Sequence, residues 1–287
     1  MIHAVLPFRV SNDGRLAHYA DNAIRAGMLL QSMVRYLGSP IHITVPARAD
    51  EMAQFPVCRA PHIRVDVIDE ETLVPGIGAS PAEGWYRQQV LKLAYAAQCP
   101  AEFCLCLDPD MFLTQPMTEA DLIRDGRGTV AWRPKRRIEK FWQHSADVLS
   151  MACNFDEMSL GNTPQTLHRD TVADMLAHLA KRGTDLAGLL ALKGWTELAI
   201  YSIYAENTGR LRQIHAAHPA VPLIGWSLWF PWERYGRMPY EIRPESGFFT
   251  VLQSRNKPPM AEVTRMFWKA MRAGERATAR AGDRVAA

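Results

Sequence analysis

Residues 103–107 read FCLCL, five apolar residues in a row, closed at once by Asp108-Pro109-Asp110. An unbroken apolar run of strand length fits a strand covered on both faces, which calls for helices on either side of a sheet. Pro109 cannot donate to a ladder, so the chain leaves the sheet there and both aspartates emerge in a loop at the strand's carboxyl end. Open α/β sheets bind ligands at that end.

The rest of the chain supports a layered α/β domain. AVLPF (residues 4–8), IHITVP (41–46) and IRVDVID (63–69) read as strands. Between the first two, residues 20–38 place Ile24, Met28, Leu29, Ser32, Met33 and Tyr36 at helical spacing, with Gly38 as the stop. Residues 79–100 read as a helix entered through Ser80 and Pro81 or delayed by Gly84 to Trp85. TVAWRP (129–134) is a further strand, 170–181 and 196–206 are helices, and GWSLWFPWERYGRMPY (225–240) and GFFTVLQS (247–254) complete the domain. Residues 271–287 carry few bulky apolar side chains and many charges, and are expected to form a frayed basic tail.

Charge and cysteine usage narrow the function classes. A net charge of +3 over 287 residues gives no concentrated basic face for nucleic acid. No run of about 18 apolar residues indicates a membrane span, and Pro7 and Arg9 interrupt the apolar start, so a cytoplasmic location is expected. Five cysteines without a scaffold spacing fit a reducing compartment, with Cys104 and Cys106 as small core residues. The run WRPKRRIEKFWQH (132–144) interleaves basic and aromatic residues; it reads as a solvated loop, or as a contact for an anionic acceptor or a membrane surface.

Two carboxylates one residue apart repel unless a cation lies between them. A hard Mg²⁺ or Mn²⁺ ion takes one or two carboxylates together with phosphate oxygens, so a metal-bound diphosphate is one reading of Asp108 and Asp110; an acidic turn is the other. Asp110 is the expected direct ligand, and Asp108 the contact to metal, ribose or water. On the preceding helix, Trp85, Gln89 and Lys92 share one face. Arg87 or Lys92 could neutralise a diphosphate and Gln88 or Gln89 could read the base or sugar, or these residues form a solvated polar face. Glu197 is a candidate acceptor-side base, or an acid favoured in a helix's first turn. Trp195 could stack on a sugar or fill the core. His168 could meet an acceptor, join a metal site, or be structural.

GWYRQQVLKLAYA followed by LDPDMFL resembles a bacterial, mostly uncharacterised glycosyltransferase-like family with the GT-A fold. The resemblance extends to residues 28–46, 163–176, 195–209 and 248–254. It implies one GT-A-type domain over 1–270, a nucleotide-diphospho-sugar transferase-like mixed, mostly parallel sheet with helices on both faces. The donor half would be about 1–115 and the acceptor half about 116–270. It also implies sugar transfer from a nucleoside-diphosphate sugar to a carbohydrate or glycoconjugate acceptor, with Mn²⁺ or Mg²⁺ on Asp108 and Asp110. Pro7, Arg87, Gln88, Gln89, Lys92, Asp108 and Lys257 would line the donor site, and Thr163, Gln165, His168 and Trp195 the acceptor site. Metal-dependent relatives often supply a late histidine before a Lys-Pro pair; here Lys257-Pro258 is present, but Gln253 and Ser254 stand where the histidine is expected. A nucleotidyltransferase of similar fold and a non-catalytic binding relative are the alternatives. A haloacid-dehalogenase-type phosphatase fits less well, because Phe112 stands where its Thr or Ser belongs.

Overall fold

The computed structural model describes residues 1–10, 21–82, 84–228 and 246–285. A five-stranded sheet forms the centre. Its strands are β1 (Ile2–Val5), β2 (Ile41–Ala47), β3 (Ile63–Asp69), β4 (Phe103–Cys106) and, later in the chain, β10 (Gln165–His168), in spatial order β10-β4-β1-β2-β3. All pairings are parallel except β10 with β4. Short strands β5 (Met111–Leu113), β6 (Ile123–Arg124), β7 (Arg127–Thr129), β8 (Trp132–Pro134), β9 (Met158–Leu160), β11 (His215–Ala216), β12 (Ile224–Ser227) and β13 (Phe249–Val251) make three smaller sheets. The expected strand 129–134 is therefore two strands in two sheets, β7 pairing with β6 and β11 and β8 with β9.

The apolar run behaves as its composition requires: Cys104, Cys106 and Leu107 have no exposed area, and Phe103 and Leu105 2% each. One core lies on each face of the sheet. On one side β1 and β2 pack under α1 (Asn22–Tyr36), β5, β13 and the long α9 (Met260–Val285). On the other, β4 and β10 pack under α2 (Gly84–Ala96), α4 (Glu139–Leu149), α5 (Arg169–Lys181) and α7 (Glu197–Asn207). Three short helices, α3 (Glu119–Leu122), α6 (Leu186–Ala191) and α8 (Leu211–Ile214), fill the joins.

Two expectations need correction. The tail expected from 271 is helix to Val285, because Ala, Arg and Glu favour helix even where apolar bulk is scarce. Met271 is 3% exposed and its carbonyl accepts from the Tyr36 hydroxyl, and a Cβ on Gly274 would collide with that tyrosine, so the helix seats against α1. Of the two starts read for α2, the later one fits: the helix begins at Gly84, and Ser80 accepts from the Ala82 N–H before it. The basic-aromatic run is not one surface: Lys135 and Trp142 are buried, Trp132 lies under Arg212, and Arg136 pairs with Asp156. The expected aromatic segment 225–240 lies outside the described residues beyond Leu228. No helix among the described residues is long and apolar enough to cross a membrane.

Candidate functional site

Backbone pairing sets the position of the site. The Leu107 N–H still donates to Val5 O (2.9 Å), and the chain then turns away through Pro109, so Asp108 stands at the carboxyl end of β1 and β4. Pro7 is buried at the same end, between the Leu6 and Phe8 N–H groups that bond back to β2. Helix α2 runs opposite to the strands, and side chains of a helix tilt toward its start, which brings Lys92 up to Asp108.

Lys92 is the hub. Its Nζ lies 2.6 Å from Asp108 Oδ1 and 3.1 Å from Glu197 Oε1, and donates to Thr163 Oγ1 at 3.3 Å. The lysine side chain is 3% exposed, Glu197 8% and Asp108 27%. Burial by itself would lower the proton affinity of the ammonium; the charges of Asp108 and Glu197 outweigh it and hold the lysine well above its usual range. Glu197 opens α7 after Thr196, whose hydroxyl accepts from the Ala199 N–H as the N-cap. Gln89, one turn before Lys92, fixes that end: its Oε1 accepts the Glu197 N–H at 2.9 Å, which leaves Nε2 buried with no partner.

Asp110 belongs to a second group. Its Oδ2 accepts from the Ser254 N–H at 2.7 Å, and its carbonyl from the Leu252 N–H at 2.8 Å. Arg25 on α1 is 3% exposed, donates from Nη1 to Leu252 O at 3.0 Å and acts on Asp110 by its charge, as does Arg255. Burial and then the neighbouring Asp108 charge raise the proton affinity of Asp110, while Arg25 and Ser254 oppose them. Behind it a cavity of about 10 Å³, bounded by Arg25, Pro109, Asp110 and apolar side chains, has room for about one water.

Asp108 is thus engaged at Oδ1 by Lys92, and Asp110 at Oδ2 by the Ser254 N–H. The donor set is all oxygen, the kind a hard Mg²⁺ or Mn²⁺ takes when phosphates and waters complete its shell. It does not suit a soft or tetrahedral site: Cys104 and Cys106 are sealed in β4, and no three His, Cys, Asp or Glu side chains converge among the described residues. The late segment does reach Asp110, with a Ser254 N–H where the resemblance leads one to expect a histidine.

Several expected contacts are not made. Trp195 has no exposed area and its indole donates to Leu189 O, so it is core and not a sugar platform. Gln165 is spent on the Ala131 backbone and Asn162 O. His168 pairs with Phe103 at the far end of the antiparallel strand β10, where it caps α5. Arg87 is buried, donating to Gly78 O and Ser80 O beside Glu70, and so braces the turn before α2 instead of facing a diphosphate. Thr163 faces Lys92. Gln88 is half-buried, and Lys257 is exposed just after the turn that contacts Asp110. Arg25, Arg255 and the Gln89–Glu197 link were not foreseen.

Residues 1–274 match the family of unknown function DUF6492, and the chain belongs to that family. No curated protein matches. Among solved structures, apo mouse xyloside xylosyltransferase 1 shares the fold, with a TM-score of 0.51 at 12% identity, over 90% of this chain and 99% of that one.

Proposed function

We propose that this member of the family is a glycosyltransferase with a GT-A-type fold, moving a sugar from a nucleoside-diphosphate sugar to a hydroxyl of a carbohydrate or glycoconjugate acceptor. The observation that carries the reading is the joining of Asp108, Glu197 and Lys92 at the carboxyl end of the sheet, with Asp110 and Arg25 beside them. The likeness to a xylosyltransferase fold supports it as analogy.

Asp110, with Asp108, would hold a Mg²⁺ or Mn²⁺ ion, which as a Lewis acid offsets charge on the departing diphosphate. Arg25 and Arg255 add fixed positive charge on that side, placed before the reaction begins. Lys92 touches no phosphate in this reading; its three N–H donors already serve Asp108, Glu197 and Thr163, so it is a positioning residue. Glu197 already accepts from the Lys92 ammonium at 3.1 Å, and its place in this reading is to accept a hydrogen bond from a sugar hydroxyl.

The test is thermal denaturation with UDP, GDP or CDP, each with and without Mn²⁺. One nucleotide should stabilise the protein in the presence of the metal, by about 2.7 kcal/mol at a hundred times its dissociation constant. Asp110→Ala should lose that response. Equal stabilisation of Asp110→Ala, or none of the wild type by any of the three, contradicts the proposal. Product analysis with nucleotide sugars against nucleoside triphosphates separates sugar transfer from nucleotidyl transfer.

A further inference from the structure

Helix α2 starts at the carboxyl end of the sheet, so Trp85, seven positions before Lys92, stands about 10 Å farther out on the same helix face. The segment that delivers Glu197 is laid between α2 and α4. The Gly194 N–H donates to the Tyr86 hydroxyl at 2.8 Å, the Thr196 N–H to Ser145 Oγ at 3.4 Å, and the Glu197 N–H to Gln89 at 2.9 Å. These bonds join α2, α4 and the start of α7 into one wall. On it, Trp85 and Phe141 are both partly exposed and meet edge to face, with ring centroids 5.8 Å apart at 67°. Tyr86 meets the indole in the same way, at 5.0 Å and 66°, so no aromatic ring among the described residues lies flat on Trp85. The indole N–H and the amide of Gln88, half-buried one turn along the helix, make no hydrogen bond among the described residues. The other tryptophans of this core are closed to a ligand: Trp142 and Trp195 are 4% and 0% exposed, and Trp132 lies under Arg212.

We infer that Trp85 is the outer acceptor subsite and that the acceptor is an oligosaccharide, one ring stacked on the indole with a hydroxyl on Gln88 while the reacting end lies by Glu197. This deepens the glycosyltransferase reading above and rests on it. A sugar offers a C–H face that packs on the electron-rich face of an aromatic ring, and hydroxyls that need donors and acceptors beside it. Trp85 and Gln88 supply both. Lys140 already sits over the Phe141 ring at 5.5 Å, so Phe141 braces the indole and Trp85 takes the sugar. The separation selects the substrate class, because about 10 Å along α2 is farther than a single small alcohol reaches and a chain of linked rings covers it.

The experiment titrates lactose, maltose, cellobiose, xylobiose and chitobiose into the intact protein, with and without the nucleotide and Mn²⁺, by saturation-transfer NMR. At least one disaccharide should bind the wild type, and Trp85→Ala should weaken it about tenfold. Gln88→Ala should weaken it about threefold. Trp268→Ala, which removes a 43% exposed tryptophan on α9, should bind as the wild type does. If Trp85→Ala does not fold, Phe141→Ala gives the same test, with a loss of about threefold or more. A disaccharide bound equally by Trp85→Ala, lost equally in Trp268→Ala, or not bound by the wild type overturns the inference. Nucleotide stabilisation with Mn²⁺, measured in parallel, should be the same in the wild type and Trp85→Ala. Where it persists while the disaccharides fail these tests, the subsite is wrong and the glycosyltransferase reading stands. A disaccharide held by Trp85 without any nucleotide response overturns its role as acceptor, and where neither ligand binds the wild type both readings fall.

Discussion

Among the described residues two lysines, Lys92 and Lys135, are buried in ion pairs, and they are built differently. Lys135, with no exposed side-chain area, meets one carboxylate, Glu206, and completes its shell with Asn154 O at 2.8 Å and the Trp142 ring. Lys92, 3% exposed, meets two carboxylates, one of them 27% exposed at the mouth of the sheet. A one-to-one pair satisfies itself and ties loop 150–157 to α7. A one-to-two cluster keeps negative charge over, which nothing in folding requires, and places it where a ligand can reach. The contrast separates a structural ion pair from one with chemistry left to perform.

Removing each lysine breaks the comparison most sharply. Lys92→Met strands two acids and should cost about 3–5 kcal/mol in denaturant unfolding, and donor affinity should vanish with it. A third buried titratable group, His215, gives an effect of similar size without touching the site. Burial lowers its pKa from 6.5 to about 3, and it bonds Tyr201 and Gly128 O in the neutral form. A base whose folded pKa is depressed contributes stability above its unfolded pKa and loses it as pH falls. Unfolding free energy should therefore drop by on the order of 4 kcal/mol between pH 6.5 and pH 3, and His215→Gln should flatten that slope in a pH series of denaturation midpoints. Lys135→Met should cost about 3 kcal/mol while leaving nucleotide affinity as in the wild type. Smallest, Thr163→Val deletes one neutral acceptor from Lys92 and should cost about 1 kcal/mol, with donor affinity changing less than threefold. If Lys135→Met weakens nucleotide binding as much as Lys92→Met, the distinction between the two lysines is lost.

The sequence made the layers legible because their causes are local. An apolar run, a proline after it and helical spacing require no knowledge of distant residues, and the shared face of Gln89 and Lys92 proved to be the face that meets Glu197. What failed depended on direction or distance. β10 runs antiparallel to β4, so its ladder pairs Gln165 with Cys106 near the site and carries His168 to Phe103 at the other end. No local pattern encodes that reversal. Arg25 lies 85 positions before Asp110 in the chain and reads locally as one polar residue on an amphipathic helix. Trp195 stands two positions before Glu197 in sequence, yet its side chain turns into the core beside α2. Adjacency along a chain entering a helix does not place two side chains on one face.

The most direct measurement compares Asp108→Asn with Glu206→Gln, each removing one negative charge from one lysine at almost constant shape. Nucleotide-sugar titration with Mn²⁺ should show Asp108→Asn binding at least about tenfold more weakly than the wild type, and Glu206→Gln binding as the wild type does. Asp108→Asn binding the donor with wild-type affinity would contradict the account.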